Sequence, residues 1–188
     1  PPGNCTGMPS LWSPGPIPAV PPPPFEDTEA DVVVIGGGLT GVTAAALLAR
    51  AGKRVVLLEA RYIGAGATGN TTGKVSLLQG TKLARIAARH GGETLRGYVT
   101  GNTEGRDWLL RYCADHGLDA QRQDDYAYAQ QPDGVDTAKA VLAACREAGL
   151  DSAEWADDAD VPFPFHGGVR LPDQAQIDPV PVLATLVA

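Results

Sequence analysis

Residues 31–41 read DVVVIGGGLTG, and a run rich in alanine and leucine follows them as far as Gly52. The β-branched run Asp31–Ile35 predicts a short strand buried on both faces of a parallel sheet. A helix is expected over Leu39–Ala51, closed by the glycine, and a second buried strand over Val55–Leu58. Together these elements predict the α/β class, with a Rossmann-like β-α-β unit and a parallel sheet.

The glycines that follow the first strand have the spacing G-x-G-x-x-G, in the strand–turn–helix context that gives this pattern its meaning. Gly36 allows a tight turn, Gly38 lets a pyrophosphate approach the backbone, and Gly41 lets the helix pack closely on the sheet. Leu39 and Thr40 belong to the same predicted site, because the free N–H groups of a helix N-terminus attract phosphate. The pattern predicts the FAD/NAD(P)-binding type of fold, with an ordinary structural turn as the alternative.

Glu59 ends the second predicted strand, 18 residues after Gly41. An acid at this place accepts hydrogen bonds from both ribose hydroxyls of an adenosine. Its charge also repels a 2′-phosphate, so FAD or NAD fits this site and NADP does not.

Composition excludes several classes of partner. The 188 residues carry a net charge of -7, and their 15 lysines and arginines are scattered, which argues against a nucleic-acid partner. No run approaches the roughly 20 apolar residues that span a bilayer, so no membrane span is expected. The three cysteines are far apart in the sequence and fit no metal or disulfide spacing, which indicates reduced thiols in a cytoplasmic protein.

The chain divides by composition at about residue 30. Residues 1–30 form a proline-rich leader, with ten prolines among the first 25 residues, and residues 31–188 form the folded part. Acidic residues concentrate in Asp151–Asp160, which is interpreted as a solvated surface loop. Further elements are predicted as follows: helices over residues 83–90, 93–116, 137–148 and 179–187, and strands over residues 126–129 and 169–171.

Three segments together resemble the opening of the D-amino-acid oxidase superfamily: Asp31–Ala45, Val55–Ala60 and Gly64–Lys74. This superfamily includes glycine oxidase, sarcosine oxidase and gamma-glutamylputrescine oxidase, and its members are FAD-dependent amine and amino-acid oxidoreductases. Ser10–Trp12 and Thr71–Val75 are similar to one branch, in which a Rieske iron–sulfur domain often follows the flavin domain.

The resemblance implies FAD as the cofactor and adds seven residues to the predicted site. Two lie beside the adenosine, and the others lie in the stretch that crosses the pyrophosphate and the flavin edge: Ala60, Arg61, Thr68, Thr71, Thr72, Gly73 and Lys74. A solvated surface residue is an equally good interpretation of Lys74. The implied reaction is oxidation of a C–N bond of an amine or amino acid, with hydride passing to the flavin and the resulting imine hydrolysing.

The resemblance also implies that the chain is the N-terminal part of a longer enzyme, truncated at its C-terminus. The substrate-binding residues of the family are expected after Ala188, so no catalytic residue and no metal ligand is assigned, and residues 1–188 alone are expected to be inactive. His90, His116 and His166 are interpreted as structural or surface residues. An NAD-dependent dehydrogenase and a non-catalytic nucleotide-binding fragment remain as alternatives, and the substrate, electron acceptor and oligomeric state remain open.

Overall fold

The computed structural model describes residues 29–188, so the leader predicted over residues 1–30 lies almost wholly outside the described residues. Its helices and strands are, in chain order, β1 Val32–Ile35, α1 Leu39–Arg50, β2 Val55–Leu58, β3 Lys74–Val75, α2 Lys82–Asp115, β4 Ala120–Tyr128, α3 Val135–Glu147, β5 Glu154–Ala156, β6 Gly168–Ile177 and α4 Pro179–Val187. The described residues form two compact units. The first contains residues 29–73, 116–119 and 177–188, and the second contains residues 74–115 and 120–176.

The first unit contains the predicted β-α-β arrangement. Strands β1 and β2 pair in parallel, with Val32 opposite Val55, and α1 packs against both strands and against α4. Helix α1 ends at Arg50, one residue before its predicted end, and Gly52 follows in the left-handed region at a φ of 80°. The α/β class and the parallel pairing predicted from the sequence are therefore confirmed.

The burial predicted for β1 is wrong for one of its faces. Val33 and Ile35 are exposed by 54% and 84%, whereas Val34 faces α1, with its Cγ1 at 3.4 Å from the place of a Cβ on Gly41. Within residues 29–188 the sheet of this unit consists of β1 and β2 only, with α1 packed against it. Among residues 29–188, one face of β1 therefore packs against α1 and the other face is exposed.

The second unit packs two helices on an antiparallel sheet. The strand order is β3-β6-β4, with β5 also paired to β6, and α2 packs against α3. The predicted interruption between residues 90 and 93 is confirmed, since α2 breaks at Gly91, whose φ is 77°. The buried core joins both helices to the sheet and contains Leu77, Leu78, Leu83, Leu95, Val99, Val141, Leu142, Ala144, Cys145, Ala153, Val169 and Leu171.

The strand predictions for this unit are partly wrong. β4 and β6 are nine and ten residues long, much longer than the strands predicted at residues 126–129 and 169–171, and β3 and β5 were not predicted at all. β6 continues through Pro172 and through Asp173, which has a φ of 56°. Pairing with other strands stabilises these polar segments, and such pairing leaves no periodic signal in the local sequence.

The acidic segment Asp151–Asp160 is also only in part a solvated loop. Glu154–Ala156 pairs with β6, with Glu154 opposite Arg170. Arg170 forms ion pairs with both Glu154 and Asp124, so part of the acidity of this segment is neutralised within the sheet.

No helix found between residues 29 and 188 is long and apolar enough to cross a membrane.

Candidate functional site

The turn between β1 and α1 has the backbone conformation that its glycines predict. Gly36 has a φ of 107°, in the left-handed region, and its N–H donates to the carbonyl oxygen of Leu58 at 2.8 Å. A Cβ on Gly41 would collide with the carbonyl oxygen of Gly36. The turn therefore needs glycine at position 36 for its backbone conformation and at position 41 for close packing.

Gly38 differs from Gly41 because a side chain there would meet no backbone atom. A Cβ built on Gly38 would meet only the Thr68 hydroxyl oxygen, at 3.2 Å, within a radius of 4 Å. Gly38 also occupies the N-cap of α1 and supplies no capping side chain. The chain thus leaves room for a ligand group at the start of α1, as the approach of a pyrophosphate to the backbone requires.

The start of α1 is capped by a residue from a distant part of the chain. The N–H of Leu39 donates to the hydroxyl oxygen of Thr68 at 3.0 Å, and the two residues are 29 positions apart. Thr40, the next residue of α1, is exposed. The structure therefore brings the two predicted site residues Leu39 and Thr68 together beside Gly38.

Glu59 lies against the same turn and is held by two backbone donors. The N–H of Gly37 donates to one carboxylate oxygen at 2.7 Å, and the N–H of Arg61 donates to the other at 2.9 Å. These hydrogen bonds lower the pKa of Glu59 below its ordinary value, and the hydrogen bond from Gly37 has the largest effect. A carboxylate with a lowered pKa is ionised at neutral pH, which suits it to accept hydrogen bonds from ribose hydroxyls and to repel a phosphate.

Gly37 is a site residue that the sequence analysis missed. A Cβ at this position would lie 2.6 Å from Cδ1 of Ile63 and 3.1 Å from the side chain of Glu59. The carbonyl oxygen of Gly37 also accepts from the N–H of Gly64 at 2.9 Å. The third consecutive glycine was the available signal, because the G-x-G-x-x-G spacing accounts for Gly36 and Gly38 and leaves the residue between them unexplained.

The stretch after β2 is stabilised mainly by its own hydrogen bonds. The guanidinium of Arg61 donates to the carbonyl oxygen of Ala65 at 3.1 Å. The side-chain amide of Asn70 donates to the carbonyl oxygen of Gly66 at 2.8 Å. Residues 68–70 form one short 3-10 turn. Ala60, like the side chain of Arg61, is exposed. The stretch therefore has a defined conformation. The contact of its exposed residues Ala60 and Arg61 with the adenosine stays a prediction.

The last predicted site residues lie in different surroundings. Thr71 and Thr72 are exposed, and Gly73 has a φ of 73° and a backbone hydrogen bond of 2.9 Å from Ile177. A Cβ on Gly73 would collide with the carbonyl oxygen of Ile177. The fold therefore requires glycine at position 73, whether or not this residue contacts a cofactor. Lys74 belongs to the second unit, where its ammonium pairs with Asp125 at 3.0 Å.

Comparison with known proteins gives one curated relative and several solved structures. A putative Rieske 2Fe-2S iron–sulfur protein from Bacillus subtilis is 30% identical over 164 residues, which are 86% of this chain and 32% of that protein. The chain thus spans about a third of the length of that relative. The word Rieske in its name agrees with the branch that Ser10–Trp12 and Thr71–Val75 resemble.

Three solved structures share the fold at low identity. An L-amino acid deaminase from Proteus myxofaciens, in complex with anthranilate, matches with a TM-score of 0.58 and 21% identity, over 95% of this chain and 38% of that one. An L-proline dehydrogenase from P. horikoshii has a TM-score of 0.60 and 19% identity, over 84% and 41% of the two chains. A glycine oxidase from Bacillus cereus has a TM-score of 0.55 and 19% identity, over 84% of this chain and 43% of that one.

The family model described as FAD dependent oxidoreductase, DAO, matches residues 31–188. That range begins at the first residue of the predicted fold and contains every residue of the predicted site. The turn with its glycines, the space beside Gly38 and the ionised Glu59 fit FAD, the cofactor that this family uses. The chain belongs to the DAO family of FAD dependent oxidoreductases.

Proposed function

We propose that this chain supplies the ADP-binding part of the FAD site in an enzyme that oxidises a C–N bond of an amine or amino acid. The family match supports the use of FAD, and the names of the three solved neighbours support an amino-acid substrate. The observation that carries the proposal is the carboxylate of Glu59, fixed by two backbone N–H groups beside the glycine turn.

The proposed cofactor site consists of all thirteen residues predicted from the sequence: Gly36, Gly38, Leu39, Thr40, Gly41, Glu59, Ala60, Arg61, Thr68, Thr71, Thr72, Gly73 and Lys74. FAD, when bound, supplies the chemistry by accepting a hydride. The chain itself binds and orients: Glu59 accepts from the ribose hydroxyls, and the N-terminus of α1 presents N–H groups to the pyrophosphate. No residue of this chain is assigned a role in the chemical step.

Two further statements belong to the same proposal. The FAD-binding part begins at about residue 31, after the leader, and is continued in the whole protein by a substrate-binding part, since the chain covers about a third of its curated relative. The protein is cytoplasmic. In support, Cys113 and Cys145 are both free cysteines, as is usual in a reducing compartment.

The test is FAD binding by the intact gene product and by its variant Glu59→Ala. Loss of hydrogen bonds to a charged group should weaken FAD binding about tenfold, as measured by titration of the cofactor-free protein. The control is Glu104→Ala, which removes an exposed glutamate from α2.

Unchanged FAD affinity in a folded Glu59→Ala protein would remove this residue from the site. A purified intact protein that shows no flavin absorbance and binds NAD instead would replace the proposal by the NAD-dependent dehydrogenase. Stoichiometric flavin without oxidation of any amine or amino acid would contradict the proposed reaction and leave the cofactor assignment in place.

A further inference from the structure

The hydroxyl of Thr68 lies between the start of α1 and the space beside Gly38. Its oxygen accepts from the N–H of Leu39 at 3.0 Å, and the same oxygen lies 3.2 Å from the place of a Cβ on Gly38. A hydroxyl that accepts one hydrogen bond through its oxygen still has its own O–H to donate. A phosphate beside Gly38 would therefore meet the Thr68 hydroxyl, because the N–H of Leu39 is already occupied.

The position of Thr68 depends on a turn whose backbone is not fixed by packing. Thr68 begins the 3-10 turn Thr68–Asn70, and Gly66 lies two residues before it. Nothing lies within 4 Å of a Cβ on Gly66, so no neighbouring group restricts the backbone there, and glycine itself permits a wide range of conformations. Hydrogen bonds must therefore hold this turn in its conformation.

Asn70 supplies one of these hydrogen bonds through its side chain. Its amide Nδ2 donates to the carbonyl oxygen of Gly66 at 2.8 Å, and its backbone N–H donates to that of Ala67 at 3.2 Å. A further backbone hydrogen bond of 2.9 Å runs from the N–H of Gly69 to the carbonyl oxygen of Gly64. An alanine at position 70 would keep both backbone hydrogen bonds and lose the one that fixes Gly66. The side chain of Asn70 is exposed, so its removal leaves no cavity.

We infer that Asn70 is a positioning residue of the cofactor site: its amide fixes the carbonyl group of Gly66 and thereby holds the Thr68 hydroxyl where the pyrophosphate binds. Asn70 is not among the thirteen residues predicted from the sequence. Every contact that carries the inference lies within the first unit. The inference rests on the proposed function, because it explains how one residue of the proposed site is held in place.

ADP and adenosine form a matched pair of probes, since they share base and ribose and differ in the diphosphate. Their binding to the cofactor-free intact gene product is measured by calorimetry. Asn70→Ala should weaken ADP binding about fivefold, the cost of one hydrogen bond between neutral groups, and leave adenosine binding unchanged. Gln130→Ala, which removes an exposed amide from the second unit, should change neither affinity.

A double-mutant cycle tests whether Asn70 acts through Thr68. Thr68→Val removes the hydroxyl and keeps the branched shape of the side chain, and it should weaken ADP binding about tenfold. In the Thr68→Val background, Asn70→Ala should have no further effect on ADP, because the group that it positions is gone. An equal loss of ADP affinity from Asn70→Ala in both backgrounds would overturn the inference.

Glu59→Ala separates failure of this inference from failure of the proposed function. This variant should weaken both ligands, because both contain the ribose that Glu59 is proposed to bind. If it weakens neither, the proposed function fails at Glu59. If Glu59→Ala behaves as expected and ADP affinity is unchanged in folded Asn70→Ala, only the inference fails. A fall in the thermal unfolding midpoint of Asn70→Ala with equal losses for ADP and adenosine identifies a purely structural residue, and also overturns it.

Discussion

At the scale of single residues, the glycines around the start of α1 differ in what a side chain would meet. Gly41 faces the carbonyl oxygen of Gly36, so any Cβ there is in conflict with backbone. Gly38 faces only the movable hydroxyl of Thr68, and nothing lies within 4 Å of a Cβ on Gly66. The same residue type therefore serves the packing of the fold at position 41 and leaves space for a ligand at position 38.

This difference predicts opposite results for two substitutions. Gly41→Ala should destabilise the protein by about 1–3 kcal/mol, the usual cost of overpacking, even without cofactor. Gly38→Val should leave a folded protein that does not bind FAD, because the branched side chain occupies the space that the pyrophosphate needs. Thermal unfolding and FAD titration measure the two effects, and Gly66→Ala is the neutral control. A stable Gly41→Ala protein, or a Gly38→Val protein that retains FAD, would contradict this assignment of roles.

At the scale of an element, α4 begins with a strong local signal. Asp178 occupies the N-cap and its carboxylate accepts from the N–H of Val180 at 2.9 Å, and a proline follows at the first helical position. The helix then buries Val182 and Leu183. Its predicted range was correct because the cap, the proline and the apolar run are all adjacent in the sequence.

Removal of this cap should have a measurable cost. Asp178→Ala is expected to lower the free energy of unfolding by about 1 kcal/mol, whereas Asp178→Asn should retain nearly all of it, because asparagine is an equally good N-cap. Denaturant unfolding of the intact protein checks both values, with Asp151→Ala as an exposed control. If Asp178→Asn costs as much as Asp178→Ala, the charge of the carboxylate matters and the cap does not.

At the scale of the whole molecule, the sheet of the first unit has a face on which large apolar side chains are exposed. Val33, Ile35 and Leu58 are all exposed, although such residues are usually buried. Exposed apolar patches of this kind favour association and aggregation. Residues 1–188 expressed alone should therefore be poorly soluble and hold FAD weakly.

The double substitution Val33→Thr with Ile35→Thr should increase the soluble fraction of residues 1–188 expressed alone, because it removes apolar surface without loss of packing. Val34→Thr is the matched control: it introduces a hydroxyl on the face that contacts α1, and it should lower the soluble fraction. The measurement is the soluble yield together with the state of association in solution. A soluble monomer of unchanged sequence that binds FAD stoichiometrically would contradict the prediction.

The sequence by itself determined the β-α-β unit and the helices, and it predicted the centre of the proposed cofactor site. Each of these depends on signals that are close in the chain: a β-branched run, a helical apolar period, a glycine spacing and an acid at the end of the next strand. Gly36, Gly41 and Glu59 could be assigned roles for this reason, because a strand, a turn and a helix impose their requirements over a few residues.

Tertiary structure alone decided the rest. Only the folded chain brings Thr68 to Leu39, Glu59 to the N–H of Gly37, and Lys74 to Asp125, 51 positions away. The full lengths of β4 and β6 have the same origin, because β-pairing satisfies backbone groups with partners that are distant in sequence. Hydrogen bonds and ion pairs between distant residues leave no period or spacing in a single sequence, so they become visible only when the chain is folded.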